Sequence, residues 1–273
     1  MRLRRLWMGL ATVTGARRLG FFAPYRYAGS VPRPPDPAAV GYPAVERLFA
    51  AHAARFAQTL DLIDAAGPRL AALGGPAPAP RWGQTWFPRL DGAAAFALVA
   101  ARRPGRILEV GSGHSTRFMA AAAPGARILC LDPQPRARLP EGVEHRAELL
   151  APDHATLFAA LEPGDVAFFD SSHLLQPHGD VDLILNHILP ALRPGVLVHV
   201  HDVFLPDPYP AGWGWRGYSE QNGLAPWLLA GGLRPLFASR YALSRMGAAT
   251  RPGVAALPLP EGAFESSLWA ERA

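Results

Sequence analysis

The sequence contains no lysine: all 27 of its basic residues are arginine. Any chemistry that needs a lysine amine, as a Schiff base or as a general base, is therefore excluded. Cysteine is nearly absent as well. The single Cys130 rules out an internal disulfide framework and a cysteine-rich zinc site, and it lies in an apolar run where it reads as a small buried hydrophobe. No apolar stretch is long enough to span a bilayer. Charge is uneven, for residues 1–33 carry seven arginines and no Asp or Glu, whereas the other 240 residues hold 20 arginines against 22 acids. The body thus lacks the charge of a nucleic-acid-binding surface, and no nucleic-acid partner is expected. With abundant Ala, Pro and Gly, the all-arginine usage reads as compositional bias. A cytoplasmic, reducing setting is expected.

What is present organises into three parts: a basic arm and Pro-rich linker over residues 1–40, a helical accessory segment over 41–90, and an α/β domain over 91–273. The arm mixes Arg with Leu, Trp and Phe. It reads either as a peripheral membrane contact through residues 1–33 or as an arm that packs on the body or on a partner subunit in a homo-oligomer. Pro32 to Pro37 form the linker. Val45, Leu48, Phe49, Phe56, Leu60 and Ile63 recur at helical spacing, and the segment GGPAPAP at Gly74–Pro80 ends that pattern.

From Asp91 the chain alternates. Helix is expected at Ala93–Arg102, Arg117–Ala123 and Val181–Leu192. Strands are expected at Arg106–Val110, Arg127–Leu131, Val143–Glu148, Asp165–Phe169 and Val196–Val200. The strand runs are apolar without clean alternation, as in parallel strands covered on both faces. The expected architecture is a doubly wound, mostly parallel sheet, with an antiparallel C-terminal pair from Arg234–Ser244 and Ser266–Glu271.

The most informative stretch is ILEVGSGHST, Ile107 to Thr116. A strand carries Glu109, a turn follows with Gly111, Ser112 and Gly113, and Ser115 or Thr116 is placed to cap the next helix. Glycines let backbone approach a ligand closely. A dinucleotide fingerprint needs a third glycine where Thr116 stands, and Glu109 would repel a pyrophosphate. The acid suits a ligand bearing an amino group and a sulfonium. Nineteen residues past Gly113, Asp132 ends the second strand, where a carboxylate can hold two ribose hydroxyls.

This acidic Glu-x-Gly-x-Gly with its downstream Asp resembles motifs I and II of class I S-adenosylmethionine-dependent methyltransferases, which are Rossmann-like in fold. Two further strand ends are polar: FFDSSH, ending at His173, and VHVHDVF, from Val198 to Phe204. With the intervening Gly179-Asp180 and the ILPALRPG run ending at Gly195, they are similar to the bacterial branch that includes cephalosporin-hydroxylase-like and macrocin-type O-methyltransferases. The resemblance covers about residues 81–245. It implies methyl transfer from S-adenosylmethionine, bound by Glu109, Gly111, Ser112, Gly113, Ser115, Asp132 and Asp170, to a small-molecule or sugar-like acceptor. Relatives of this kind hold a divalent metal on an Asp after the fourth strand and an Asp pair after the fifth. Here Asp170 and Asp202 match, but His201 stands in place of the other acid, so metal-free chemistry is preferred over Mg²⁺ on Asp170 and Asp202.

A hydroxyl acceptor needs a base. His173 is the first choice, since imidazole titrates near working pH, and His201 the second. Asp170 and Asp202 complete the candidate catalytic set. His199, deeper in its strand, reads as a core histidine. Trp213, Trp215 and Tyr218 could form a lid or acceptor wall, and the aromatic cluster at residues 81–87 could close over the cofactor. The competing readings are an NAD(P)-dependent oxidoreductase and a non-catalytic membrane-surface or subunit-binding module.

Overall fold

The computed structural model describes residues 2–34, 36 and 39–273. The chain divides into two compact units, Met1–Ala39 and Val40–Ala273. In the first, Arg2–Val13 is an α-helix. The linker expected at residues 32–37 lies in part outside the described residues. Among the described residues no helix is long and apolar enough to cross a membrane.

The larger unit is built on a seven-stranded sheet: β1 Arg106–Val110, β2 Arg127–Leu131, β3 Glu144–Arg146, β4 Val166–Phe169, β5 Leu197–Val200, β6 Leu233–Ala238 and β7 Leu268–Arg272. Their order is β3-β2-β1-β4-β5-β7-β6. β1 to β5 pair in parallel, and β7 runs antiparallel between β5 and β6. Every residue of β4 and β5 is buried, which explains why they are apolar throughout except for His199. The order reverses between β1 and β4, so the crevice at their carboxyl ends is where such a sheet takes a ligand.

The segment 41–90 does not stand apart from the sheet. Its helices Pro43–Ala51 and Ala53–Ala65 put Phe49 and Phe56 into the same core as Phe237 of β6, with Phe56 edge-on to Tyr241 at 5.6 Å. Two expected strands are markedly shorter than the sequence suggests: β3 is only Glu144–Arg146 of the expected Val143–Glu148, and the Arg234–Ser244 run is cut short. β6 stops at Ala238 and Ser239–Arg245 is helical. There the Ser239 backbone N–H is taken by the Ser267 carbonyl, and the chain then turns Tyr241 and Ala242 inward. The helix expected at Val181–Leu192 is α-helical at Asp180–Leu183 and Leu189–Ala191 but widens to a π turn at Ile184–Ile188. Pro190 has no N–H for the carbonyl four residues back and crowds it, so the ladder opens just before the ring.

Candidate active site

The glycine turn after β1 is held by its own neighbours. Gly111 has φ 82°, and a Cβ there would stand 2.0 Å from the Asp170 carbonyl oxygen, so only glycine lets β1 and β4 approach this closely. The helix that follows is His114–Ala122, beginning earlier than expected. Its cap residue is Gly113 rather than Ser115 or Thr116. Thr116 reaches back instead, accepting the Gly113 N–H at 3.0 Å and donating its hydroxyl to Glu109 Oε2 at 2.7 Å. Glu109 is fully buried, and burial pushes its carboxyl up to about 8. Near neutral pH it is therefore mostly uncharged, and it shapes the turn from behind. Glu109, Gly113 and Ser115 lie outside the wall of the cavity described next.

A cavity of about 850 Å³ opens at the carboxyl ends of β1, β2 and β4, lined by Gly111, Ser112, Asp132, Gln134, Asp170 and Ser172 among others. That is the size range of a cofactor site. Asp132 is held in place by three donors: the Ser112 N–H at 2.7 Å, the Ser112 hydroxyl at 2.9 Å and the Gln134 N–H at 2.8 Å. Its carboxylate is thereby fixed on the wall, at the end of β2, where a vicinal diol can be recognised.

Asp170 belongs to this wall and to a second group of side chains. Its Oδ1 is 3.1 Å from His173 Nε2 and 3.7 Å from His201 Nδ1. Asp202 faces the same two imidazoles, 3.6 Å from His173 Nε2 and 3.5 Å from His201 Nδ1. The sequence-chosen residues Asp170, His173, His201 and Asp202 are thus brought together. Donor atoms of Asp170, His173 and Asp202 all lie within 4.8 Å of one another, an arrangement able to hold a metal ion.

Each imidazole is anchored from behind by a buried carboxylate that sequence reasoning missed. His173 Nδ1 is 2.8 Å from Glu220 Oε2, and His201 Nε2 is 3.3 Å from Asp91 Oδ2. Asp91 is itself fixed by the Ser239 hydroxyl at 2.6 Å and by the backbone N–H groups of Ser266 and Ser267. With Nδ1–H given to Glu220, His173 turns Nε2 towards Asp170 and Asp202. His173 and Asp202 both sit at positive φ, 59° and 54°. Non-glycine residues there carry backbone strain that the surrounding packing must offset.

The electrostatics follow from this crowding. Burial alone would lower His173, but hydrogen bonds to Asp170 and Glu220 and the charges of Glu220 and Asp202 hold it well above the ordinary imidazole range. His201 is raised in the same way: burial opposes, and Asp202, Asp170 and Asp91 prevail. Burial would raise Asp170, yet its bonds to the two imidazoles bring it well below the carboxylate range. Glu220 is raised, because burial outweighs the pull of His173. His199 differs from both. It is stacked on Phe168 at 4.1 Å, bonded to the Ser267 hydroxyl at 2.9 Å and lowered by burial, a histidine of the core.

The aromatic loop stands over this group. Tyr218 lies 4.6 Å from the His173 ring, and Trp213 packs edge-on to Tyr218 at 5.7 Å with Arg216 stacked on it at 4.2 Å. Trp215 is 45 % exposed. The cluster at residues 81–87 does not close over the cavity. Trp82 packs on Phe118, Phe87 packs on His201, and Trp86 stacks on His114 away from the lining residues.

Residues 108–203 match the family model described as a methyltransferase domain. The match takes in Glu109, Asp132, Asp170, His173, His201 and Asp202, and leaves out Asp91 and Glu220. No curated protein matches the chain. Among solved structures, the O-methyltransferase from Bacillus cereus in complex with S-adenosylhomocysteine is 17 % identical, with 79 % of this chain and 91 % of that one covered and a TM-score of 0.44. The O-methyltransferase TomG from Streptomyces achromogenes, involved in tomaymycin synthesis and solved with S-adenosylmethionine, is 18 % identical over 79 % and 89 %, with a TM-score of 0.41. MycE of the mycinamycin pathway, solved with Mg, S-adenosylhomocysteine and mycinamycin VI, is 18 % identical over 64 % and 47 %, with a TM-score of 0.38. The family match leaves the nicotinamide enzyme and the non-catalytic scaffold without support.

Proposed function

We propose that the chain, whose residues 108–203 match a methyltransferase domain, is a class I, S-adenosylmethionine-dependent enzyme that methylates an oxygen of a small-molecule acceptor. One observation supports this most: Asp170 is at once part of the cavity wall and hydrogen-bonded to His173, so the donor cavity and the candidate base meet at one side chain.

S-adenosylmethionine supplies an electrophilic methyl on a sulfonium with a neutral leaving group, so most of the protein's task is alignment. The residues present suit it. Asp132 is oriented to accept ribose hydroxyls, Gly111 leaves the backbone bare beside the wall, and Asp170 brings negative charge towards a cationic ligand. A hydroxyl acceptor must also lose a proton. With no lysine in the chain, His173 takes that proton at Nε2, while Glu220 holds Nδ1 and Tyr218 covers the ring. A positioned base of this kind contributes roughly 10²–10⁴-fold. Since Asp170 and Glu220 raise His173, the neutral imidazole becomes available only as pH climbs past the ordinary histidine range, and turnover should rise with pH there.

The convergence of Asp170, His173 and Asp202 favours a second reading, in which a divalent cation sits between them. The three donors fit such an ion, and Glu220 behind His173 is the outer carboxylate that metal-binding histidines usually have. An imidazole donor suits Mn²⁺, Fe²⁺ or Zn²⁺ better than Mg²⁺, which prefers oxygen. Bound there, the ion would supply Lewis acidity to an acceptor hydroxyl. His173 would then be a ligand and not the base.

The experiment is transfer of labelled methyl from S-adenosylmethionine to cell-extract small molecules, with and without prior chelation. Label in an O-methyl product that survives chelation supports His173 as base. Loss on chelation, restored by Mn²⁺ or Zn²⁺, supports the second reading. Label found only on nitrogen, or on nucleic acid, contradicts the proposal.

A further inference from the structure

The helix Arg2–Val13 and the segment after it concentrate exposed apolar side chains. Leu3 is 82 % exposed, and Leu6, Trp7, Leu10 and Val13 are 57–60 % exposed. At 3.6 residues per turn these five share one side of the helix, and Arg4, Arg5 and Thr12 project from the other. The helix is followed by a built turn rather than a loose tail. The Thr12 and Thr14 hydroxyls bond the carbonyls of Met8 and Leu10, the Arg17 N–H bonds the Ala11 carbonyl, and the Leu19 N–H bonds the Thr12 hydroxyl. Beyond the turn come Phe21, Phe22, Tyr25 and Tyr27, each at least half exposed. Arginines sit among them, Arg18 stacked 5.2 Å from the Phe21 ring and Arg26 5.5 Å from that of Tyr27.

We propose that residues 3–27 bind the surface of an anionic phospholipid bilayer. The apolar side of the helix would be sunk at the headgroup boundary, with the aromatic segment as its anchor. The charge identifies the occupant. Residues 1–33 carry seven arginines and no acid, so a second copy of the arm would bring the same positive charge, whereas an anionic headgroup layer complements it. An apolar helix side also favours a bilayer over nucleic acid, which offers phosphate but no hydrocarbon. The inference is independent of the methyl-transfer reading.

The test is flotation of the full-length protein with vesicles of phosphatidylcholine alone or mixed with phosphatidylglycerol. Binding to the mixed vesicles only, lost at high salt, is the expected result. A double variant, Leu6→Gln with Leu10→Gln, should weaken it about tenfold. A second variant, Arg17→Glu with Arg18→Glu, should do the same while keeping the apolar face. An unchanged thermal unfolding transition would show that both variants are folded. Equal binding to both vesicle types, no binding to either, or a variant that instead turns a dimer into a monomer in sedimentation would each overturn the proposal.

Discussion

The two sides of the site are built differently. On the proposed reading, the donor side is local. Glu109, Gly111, Ser112, Gly113, Thr116 and Asp132 lie within 24 residues, and their hydrogen bonds close on one another. The acceptor side is assembled from afar. Asp170 and His173 come from the loop after β4, His201 and Asp202 from the end of β5, Asp91 and Glu220 from two helix starts and Ser266 from the segment before β7, and only the fold brings them into contact. One motif can bind a common donor in many proteins, while the distant set is free to change with each acceptor. Asp170 is the hinge between the two, touching both.

Separating the two sides by mutation sharpens that contrast. The largest expected effect is from His173→Ala, which should lower kcat by roughly 10²–10⁴-fold. Calorimetry should find S-adenosylhomocysteine affinity nearly unchanged. The converse variant is Asp132→Ala, which removes the anchored carboxylate of the cavity wall. It should weaken S-adenosylhomocysteine binding by about 1.5–3 kcal/mol, with a smaller effect on kcat at saturating donor. If both variants damaged binding and turnover alike, the two sides would not be separable.

Glu220→Gln probes the support behind the base. It should lower kcat roughly tenfold, as outer-shell partners commonly do. It should also move the pH profile. Glu220 helps raise His173, so removing its charge lowers the imidazole and shifts the rising limb of kcat to lower pH. A limb that stays in place or moves upward would mean that another group is titrating. The smallest effect is expected from Thr116→Val on the donor side. It leaves Glu109 and the Gly113 N–H without their shared hydroxyl, and thermal unfolding should fall by a few degrees, about 1–2 kcal/mol.

The same contrast explains what the sequence disclosed. β1 and β2 fall at Arg106–Val110 and Arg127–Leu131, the bounds expected from their apolar runs, because glycines and charges punctuate both ends. Asp170, His173, His201 and Asp202 were visible because polar residues interrupt strands that are otherwise apolar. Asp91 and Glu220 were not. Each sits at a helix start where an acid is ordinary, and its partner is 110 or 47 residues away, so nothing nearby marks it. Glu109 was visible, but its burial was not. A carboxylate read as facing the ligand lies fully buried on β1, where burial raises it to about 8. The helical end of the Arg234–Ser244 run depends likewise on a contact with Ser267, just ahead of β7, that local propensity does not carry.

The most direct test of the central claim is calorimetric titration of the purified full-length chain with S-adenosylhomocysteine and, separately, with NADH. Saturable binding of S-adenosylhomocysteine, weakened by Asp132→Ala and indifferent to His173→Ala, with no heat from NADH, is the result expected. Saturable binding of NADH with none of S-adenosylhomocysteine would contradict it.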